Sequence, residues 1–581
     1  MTSAPNQPER PSNLLYAVNE WPPPVRLVLL GFQYAVMAAM YLILVAIILR
    51  HAHVTQATSV DAMGIACVGL AIGTALQALP RGPVGSGFLA PPVFSAVYLA
   101  PSVLAAESGG MPLVFGLTLF AGAIELLVAL SLDRLRVVIT PVLSGLTVFV
   151  VGLQLGVLGI GETLDVHHEA LPTFPLHLVV TTLTLMACVA LSIWGRGTLK
   201  LLCSSLGLIA GMASASAIGL IDPTGLTVLS HSAWIALPRP AFLQFGFNAG
   251  LAPAFVAAGI AASLRAVGVV TTCQRINNAA WQRPDRTNIR KGVLADGLSN
   301  VVGSALGVPG MSIGPSLVGV SGATGATSRV IGFAASIVLL AFAFSPRLSG
   351  FFLLVPQEVA GSLLVFTASF MISGGMQIML ARPIDTRAIY VIGISTLLAL
   401  SENVYPGYFR ELPTAVRSFA ASPLALCLTA AIALSLLFRL GTRQKGETAW
   451  NDSDGSIGSA VAFLRSKAQA WKIAAGRIET SAVHVREIIA YILQNHSGNL
   501  EGVLRAVYNG LELRVDIIYQ GSRTGRLPTS RNAYAPIDND LENEEAAAYI
   551  GLRNFLRSLA VDRQQVKMRN NRVIVRLYYE V

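Results

Sequence analysis

The sequence predicts an all-α polytopic membrane protein of fourteen transmembrane spans, built as two inverted seven-span repeats and followed by a cytoplasmic α/β domain. Three observations carry this prediction. Hydrophobic residues make up 53% of the 581-residue chain and charged residues only 12%, with a mean hydropathy of +0.62, which fits neither a soluble enzyme nor a disordered chain. Apolar runs of membrane-crossing length recur to about residue 440 and then cease. Two Gly/Pro-rich interruptions fall seven spans apart, at matching places in the two halves.

Residues 1–24 are polar and Pro-rich and lack the charged front, short apolar core and small-residue cleavage site of a signal peptide. They are expected to stay on the mature chain as a cytoplasmic segment. Apolar runs near 27–49, 59–79, 84–105, 111–132, 137–160, 175–195 and 199–220 form the first seven spans, each able to cross ~30 Å of hydrocarbon at about 1.5 Å per residue. Runs near 249–273, 293–308, 311–323, 327–346, 351–379, 386–402 and 419–439 form the second seven, the second and third of them short and Gly-rich.

With the N-terminus inside, the inner loops carry Arg81, Arg134, Arg136, Arg196, Lys200, Arg275, Arg283, Arg286, Arg290, Lys291, Arg329, Arg382 and Arg387. The loop after span five carries Glu162, Asp165 and Glu169 and falls outside. This is the positive-inside asymmetry, and it puts both termini in the cytoplasm of a bacterial-type inner membrane. The same dispersal accounts for the net charge of +10 without nucleic acid as a partner. Cys67, Cys188, Cys203, Cys273 and Cys427 sit at irregular spacing in largely apolar surroundings, so neither a disulfide nor a metal cluster is expected. His167 and His168 beside Glu169 read as solvated, and no metal or other cofactor is assigned. The transmembrane domain is thus 25–441, with an Asp/Ser/Gly-containing linker over 442–459 and an α/β domain over 460–581.

Backbone can leave the helix inside a membrane only where protein or a water-filled cavity satisfies it. Gly82 to Pro92 in span three and Pro309 to Ser316 in span ten are therefore expected to be short extended stretches, each followed by a half-helix whose positive end points at a common centre. The alternative is that Gly and Pro there serve packing or kinks. Ionisable residues within spans are Glu125, Arg265, Asp296 and Glu358. An unpaired charge at mid-membrane costs at least ~2.5–3.5 kcal/mol, so such residues default to function. Arg265 is the leading candidate because it lies too deep to snorkel. The competing reading makes it a structural partner of Glu125. Asp296 and Glu358 read as helix-end caps.

Gly31-Phe32-Gln33 in span one, Gly292 to Gly297 before span nine, Gly319 to Arg329, and Pro356 to Gly361 resemble the nucleobase/ascorbate transporters, also called xanthine/uracil permeases, over roughly residues 15–440. The resemblance implies a core domain of spans one to four and eight to eleven, a gate domain of the remaining spans, and an elevator-like movement in a homodimer. It places substrate between broken spans three and ten, and so gives Gln33, Tyr34, Phe88, Leu89, Arg265 and Ser316 as substrate-binding positions. Glu125 is the candidate coupling group or charge partner.

The chain departs from the family pattern at the site. Arg265-Ala266-Val267-Gly268 replaces the usual span-eight carboxylate motif, Ser316 and Leu317 replace the usual acidic or amide pair of span ten, and Tyr34 replaces the usual His. Loss of acceptors and gain of a guanidinium favour an anionic ligand.

The predicted function is therefore not enzymatic. It is secondary active transport of a nucleobase-like solute of the xanthine, urate or uracil type, in anionic form, with a proton or sodium ion for coupling. Two alternatives stay open: an anion permease or channel of the sulfate permease type, and a membrane sensor signalling through its tail. The tail is expected to contain helices, strands over 502–508 and 512–519, a helix over 542–560 and a strand over 572–579. It resembles a degenerate histidine-kinase-type ATPase fold. Tyr491 and Gln520 stand where that fold's metal-binding Asn and adenine-binding Asp would be, so the expected role is regulation through an unidentified cytoplasmic partner.

Overall fold

A computed structural model describes residues 10–580 apart from 13, 136–139, 165–173, 197–202, 222, 241–243, 280, 282–283, 381–383, 413–421, 439–443, 454, 472, 474, 495–499, 509–511, 521–550, 553, 557–558, 560, 562 and 570–571. The paired histidines His167 and His168 lie outside these residues. The chain divides into two compact units, Met1–Leu434 and Ser435–Val581.

The first unit is helical. α1 (Pro24–Ala39) opens with proline in its first turn, where a missing N–H costs nothing, and a break at Met40 and Tyr41 leads into α2 (Leu42–His51). α3 (Gln56–Ala78) is buried around most of its circumference, as a helix apolar on all sides must be. Strand β1 (Pro92–Phe94) precedes α4 (Ala96–Leu135). A straight helix of α4's length would run about 60 Å, twice the hydrocarbon thickness. It is broken at Gly109 and Gly110 (φ 70°, ψ −169°), a backbone conformation that only glycine adopts without strain. A half-helix thus ends there and a full-length helix starts, which matches the boundary expected between spans three and four.

α5 (Pro141–Leu164), α6 (Phe174–Trp194), α7 (Cys203–Ile218) and α8 (Pro223–His231) complete the first half. The second half contains α9 (Ala252–Ile276), α10 (Arg286–Ala305), β2 (Met311–Ile313), α11 (Pro315–Thr324), α12 (Arg329–Ala343), α13 (Pro346–Gly350), a 3-10 turn (Phe351–Leu354), α14 (Gln357–Met379), α15 (Thr386–Val404), α16 (Pro406–Arg410) and α17 (Pro423–Leu437). Among the described residues, seven helical segments are long and apolar enough to cross a bilayer, α4 counting as one of them. Two bent pairs, α7 with α8 and α12 with the stretch formed by α13 and the 3-10 turn, pass the same test together.

These helices pack as two groups. α4 lies against α9 and α10, α3 against α10 and α12, and α1 against α12. In the other group α5 lies against α14, and α6 against α7 and α14. The groups meet where His51, ending α2, bonds Glu162 near the end of α5 at 3.3 Å, so one carboxylate expected in an outer loop is held by an imidazole.

The second unit is a five-stranded antiparallel sheet in the order β3-β4-β5-β7-β6, formed by β3 (Gln444–Asn451), β4 (Glu501–Tyr508), β5 (Glu512–Gln520), β6 (Arg563–Arg569) and β7 (Arg572–Glu580). Period-two alternation sends Leu504, Val515, Ile517, Val575 and Leu577 into a core shared with α18 (Ser456–Ala470) and α19 (Ala475–Gln494). β3 occupies the stretch expected to be part of a linker, and β6 was not expected. Of the helix expected over 542–560, the described residues 551–552 and 554–556 are helical.

Candidate functional site

The two Gly/Pro-rich interruptions meet. β1 and β2 pair antiparallel with Pro92 opposite Ile313, Val93 opposite Ser312 and Phe94 opposite Met311. Gly314 N donates to Pro91 O at 3.0 Å and Ser95 N to Gly310 O at 3.3 Å, which extends the ladder at both ends. Each strand then turns directly into a half-helix. Ser95 caps the first, its Oγ accepting from Val97 N at 3.3 Å, a short polar side chain in the position that satisfies an orphan N–H. The second starts at Pro315 after Gly314, with no side-chain cap. The unpaired N–H groups and positive dipole ends of α4 and α11 therefore flank one place, the arrangement that binds anions and carbonyl oxygens.

Arg265, from α9, reaches this place. Its Nη1 donates to Ser95 Oγ at 2.9 Å, and its Nε is buried without a partner. The reading that pairs it with Glu125 is not what the structure contains: Glu125 Oε1 accepts from Tyr98 OH and, at 2.8 Å, from Asn300 Nδ2. Ser316, in the first turn of α11, is exposed and shares a 3.0 Å hydrogen bond with Tyr41 OH from the break between α1 and α2.

The other candidates are less available. Tyr34 is completely buried, and its hydroxyl shares a 2.7 Å bond with Ser321 Oγ of α11, so it ties α1 to the half-helix. Leu89 is buried. Phe88 is half-buried against a cluster that includes Ala266, Val270 and Ile313. Gln33 is half-buried on α1.

Asp296 is not a cap. The N-cap of α10 is Asp285, which accepts from Thr287 N and Asn288 N. Asp296 lies within α10 and is 1% exposed. Its Oδ2 accepts from Ser312 Oγ at 2.9 Å and its Oδ1 from Ile313 N at 3.0 Å. One helical turn on, Asn300 Oδ1 accepts from Met311 N at 2.7 Å and its Nδ2 donates to Met311 O at 2.8 Å. Residues i and i+4 share a helix face, so α10 grips three backbone groups of β2 with two side chains. Glu358 does sit in the first turn of α14, as a cap would, and its carboxylate is taken by His177 of α6.

Sequence reasoning missed Tyr41, Ser95 and Asn300. Ser95, a lone serine directly before an apolar helix, carried the usual start signal. The polar pair Asp296 and Asn300 on one face of an apolar span was equally visible.

A many-helix membrane unit with two half-helices converging on a polar centre defines a solute carrier. The chain belongs to the permease family of the xanthine/uracil type, whose profile matches residues 25–407. It is a multi-pass membrane transporter of a small molecule, and not an enzyme. Among curated relatives, the xanthine permease XanP of Escherichia coli is 25% identical over 447 residues, covering 74% of this chain and 95% of that one. The xanthine permease XanQ of Escherichia coli is 26% identical over 405 residues, covering 67% and 85%. The murine Solute Carrier 26 family member A9 anion transporter, solved in its inward-facing state, shares the fold at a TM-score of 0.50 with 12% identity, over 75% of this chain and 72% of that one.

Proposed function

We propose that this permease is a secondary active transporter of nucleobase-like solutes of the xanthine, urate or uracil type, taken in anionic form. Arg265 carries the reading: a guanidinium half-buried in the membrane unit, bonded to the cap of one half-helix, with one N–H left unpartnered beside two positive helix ends. A neutral base offers that charge only carbonyl dipoles, whereas an oxidised purine anion brings a full negative charge to both the fork and the helix ends. The xanthine permeases among its relatives supply the substrate class.

The membrane unit is read as fourteen spans in two inverted repeats, with β1–α4 and β2–α11 as broken spans three and ten. The division of the helices into two packing groups favours an elevator-like movement of core against gate in a homodimer. Both termini are placed in the cytoplasm of a bacterial-type inner membrane, and the sheet unit is assigned a regulatory or interaction role there. A second reading, an anion permease, draws on the same arginine and on the shared fold with an anion transporter.

Thermal stabilisation of the purified protein separates these readings, because a ligand that binds only the folded state raises apparent stability. Xanthine, urate, uracil, sulfate, oxalate and bicarbonate are compared on native protein and Arg265→Ala. Stabilisation by xanthine or urate in native protein alone supports the carrier of anionic purines. Stabilisation by sulfate, oxalate or bicarbonate alone supports the anion permease, and stabilisation by none of the six leaves the sensor.

A further inference from the structure

We propose that His51 is a pH-sensitive latch between the two helix groups: its imidazolium ties the group of α2 and α4 to α5 at one face of the membrane unit, and loss of its proton lets the groups part there. The inference rests on the reading above in which core and gate move past each other. Both ring nitrogens of His51 face a carboxylate. Nδ1 lies 3.0 Å from Glu107 Oε1 of α4, and Nε2 lies 3.3 Å from Glu162 Oε1 of α5. A neutral imidazole has one N–H and turns a lone pair toward the second carboxylate, whereas the imidazolium has a donor for each. His51 also ends α2, where unpaired carbonyls and the negative end of the helix dipole favour a cation.

The neighbouring groups make this face a meeting place of helix ends. Glu107 stands just before the Gly109–Gly110 break that ends the half-helix of α4, and Glu162 is in the last turn of α5. Arg50, beside His51, donates through Nη2 to Val355 O, just ahead of α14, and its Nη1 is buried without a partner. Glu358 in the first turn of α14 is within electrostatic reach of Arg50, and His177 near the start of α6 holds its carboxylate. α3, also packed on α2, brings Asp61, which is exposed, and His53 beyond α2 is exposed as well. β1 and the 3-10 turn, which also touch α2, carry only apolar residues. The two carboxylates thus hold the His51 proton, and the Arg50 guanidinium opposes it.

Charge and burial give the latch its direction. The Glu107 side chain is 52% exposed, so the proton exchanges with solvent at this face, while the Glu162 side chain, at 9%, has little water to replace a lost donor. When the proton leaves, one of the two contacts becomes a lone pair facing an anion, and the bare carboxylate gains solvation only if α2 and α5 separate. On the proposed topology this is the outer face, so acid outside is expected to hold it closed and alkali outside to favour its opening.

Spin-label distance measurements test the latch on the full chain, purified in detergent. Labels at Gln56→Cys of α3 and Ile160→Cys of α5, both exposed, report the separation of the two groups, and Cys67, Cys188, Cys203, Cys273 and Cys427 are buried from the reagent. The doubly labelled protein is expected to give one short distance at about pH 5.5 and a longer population at about pH 8.5, on either side of the usual imidazole range. His51→Gln, which carries no charge at either pH, is expected to show the longer population at both. An unchanged distance with His51 intact, or a pH response that survives His51→Gln, overturns the proposal. Should His51→Gln not fold, Glu107→Gln at its exposed site decides: the midpoint of the change is expected to move to lower pH by at least about half a unit, as loss of a facing carboxylate requires, and an unmoved midpoint overturns the latch. Exchange of radiolabelled xanthine by proteoliposomes is followed in parallel, and its absence beside an intact pH response supports the latch while counting against the carrier reading.

Discussion

Asn300 is the joint on which the two strand-to-helix junctions depend, and its replacement gives the sharpest test of the scaffold. Nδ2 donates to Met311 O and to Glu125 Oε1, each at 2.8 Å, while Oδ1 accepts from Met311 N at 2.7 Å. Asn300→Ala leaves two buried backbone groups, Met311 N and Met311 O, unmatched, while Glu125 Oε1 keeps its bond from Tyr98 OH. At about 1–3 kcal/mol for each buried group left unsatisfied, the loss is at least about 2 kcal/mol. Asn300→Asp is nearly isosteric and keeps the acceptor for Met311 N, yet it turns the donor toward Met311 O and Glu125 into an oxygen and adds a carboxyl to a network already holding two. Despite its shape it is expected to be no better than the alanine variant. Unfolding of the purified protein in detergent measures the stability loss, and stabilisation by xanthine or urate reads the consequence for the site. An Asn300→Asp protein with native stability and native ligand response would refute the assignment of Asn300 as the clamp of β2.

Four further substitutions probe separate parts of the molecule. Arg265→Lys keeps the charge and loses the planar fork, so binding of an anionic purine is expected to weaken at least about tenfold, roughly 1.4 kcal/mol, as read by ligand titration. Tyr34→Phe removes only the bond to Ser321, so a stability loss of about 0.5–1.5 kcal/mol with unchanged ligand affinity is expected in the same two assays. At Gly310 a Cβ would fall on the Tyr98 ring, so Gly310→Ala is expected to cost about 1–3 kcal/mol of stability in the unfolding assay and to weaken ligand binding with it. In the sheet unit, burial pushes the Tyr519 hydroxyl from 10.0 up to about 12. The folded state thus holds that proton more tightly than the unfolded one, and the resulting stability is full below pH 10.0 and lost as pH rises through about 12. Tyr519→Phe is expected to remove this component of alkaline unfolding, followed by protease susceptibility of the unit.

The parts of this structure legible in the sequence are those written in local signals. Glycine and proline announced the breaks at Gly82–Pro92 and Pro309–Ser316; the first proved to be irregular backbone leading into β1 at Pro92, the second contains β2 and the start of α11, and a half-helix follows each. What was not legible depends on pairing across the chain. Asp296 looked like a cap because an acidic residue near an expected helix end usually is one. Its actual partners, Ser312 and Ile313, lie beyond a turn whose direction no local signal sets. The competing reading that paired Arg265 with Glu125 failed for the same reason: the two charges share a region, and the hydrogen bonds chose Ser95 for one and Tyr98 with Asn300 for the other. In the sheet unit both missed strands, β3 and β6, are the outermost in the order. An edge strand carries little of the apolar alternation by which strands are recognised, and Trp450 is the one buried residue among the eight of β3.

The placement of Arg265 bears directly on ligand choice. A cation beside the positive ends of two half-helices is opposed by both dipoles, and a single neutral hydroxyl, Ser95 Oγ, does not offset a guanidinium whose Nε is buried without a partner. Asp296 offsets part of that charge, and its two oxygens accept from β2 rather than from the guanidinium. The centre between α4 and α11 therefore keeps donors without acceptors, the Arg265 Nε–H and the two helix N-termini, and with them a locally positive potential when empty. On the proposed reading this potential sorts substrates by charge before shape: urate or xanthine as the anion relieves it, while neutral uracil adds only dipoles to a place that already has donors in excess. A ranking by thermal stabilisation in which uracil equals urate would show that the guanidinium is fully balanced within the scaffold, and would remove the reason for assigning this permease an anionic substrate.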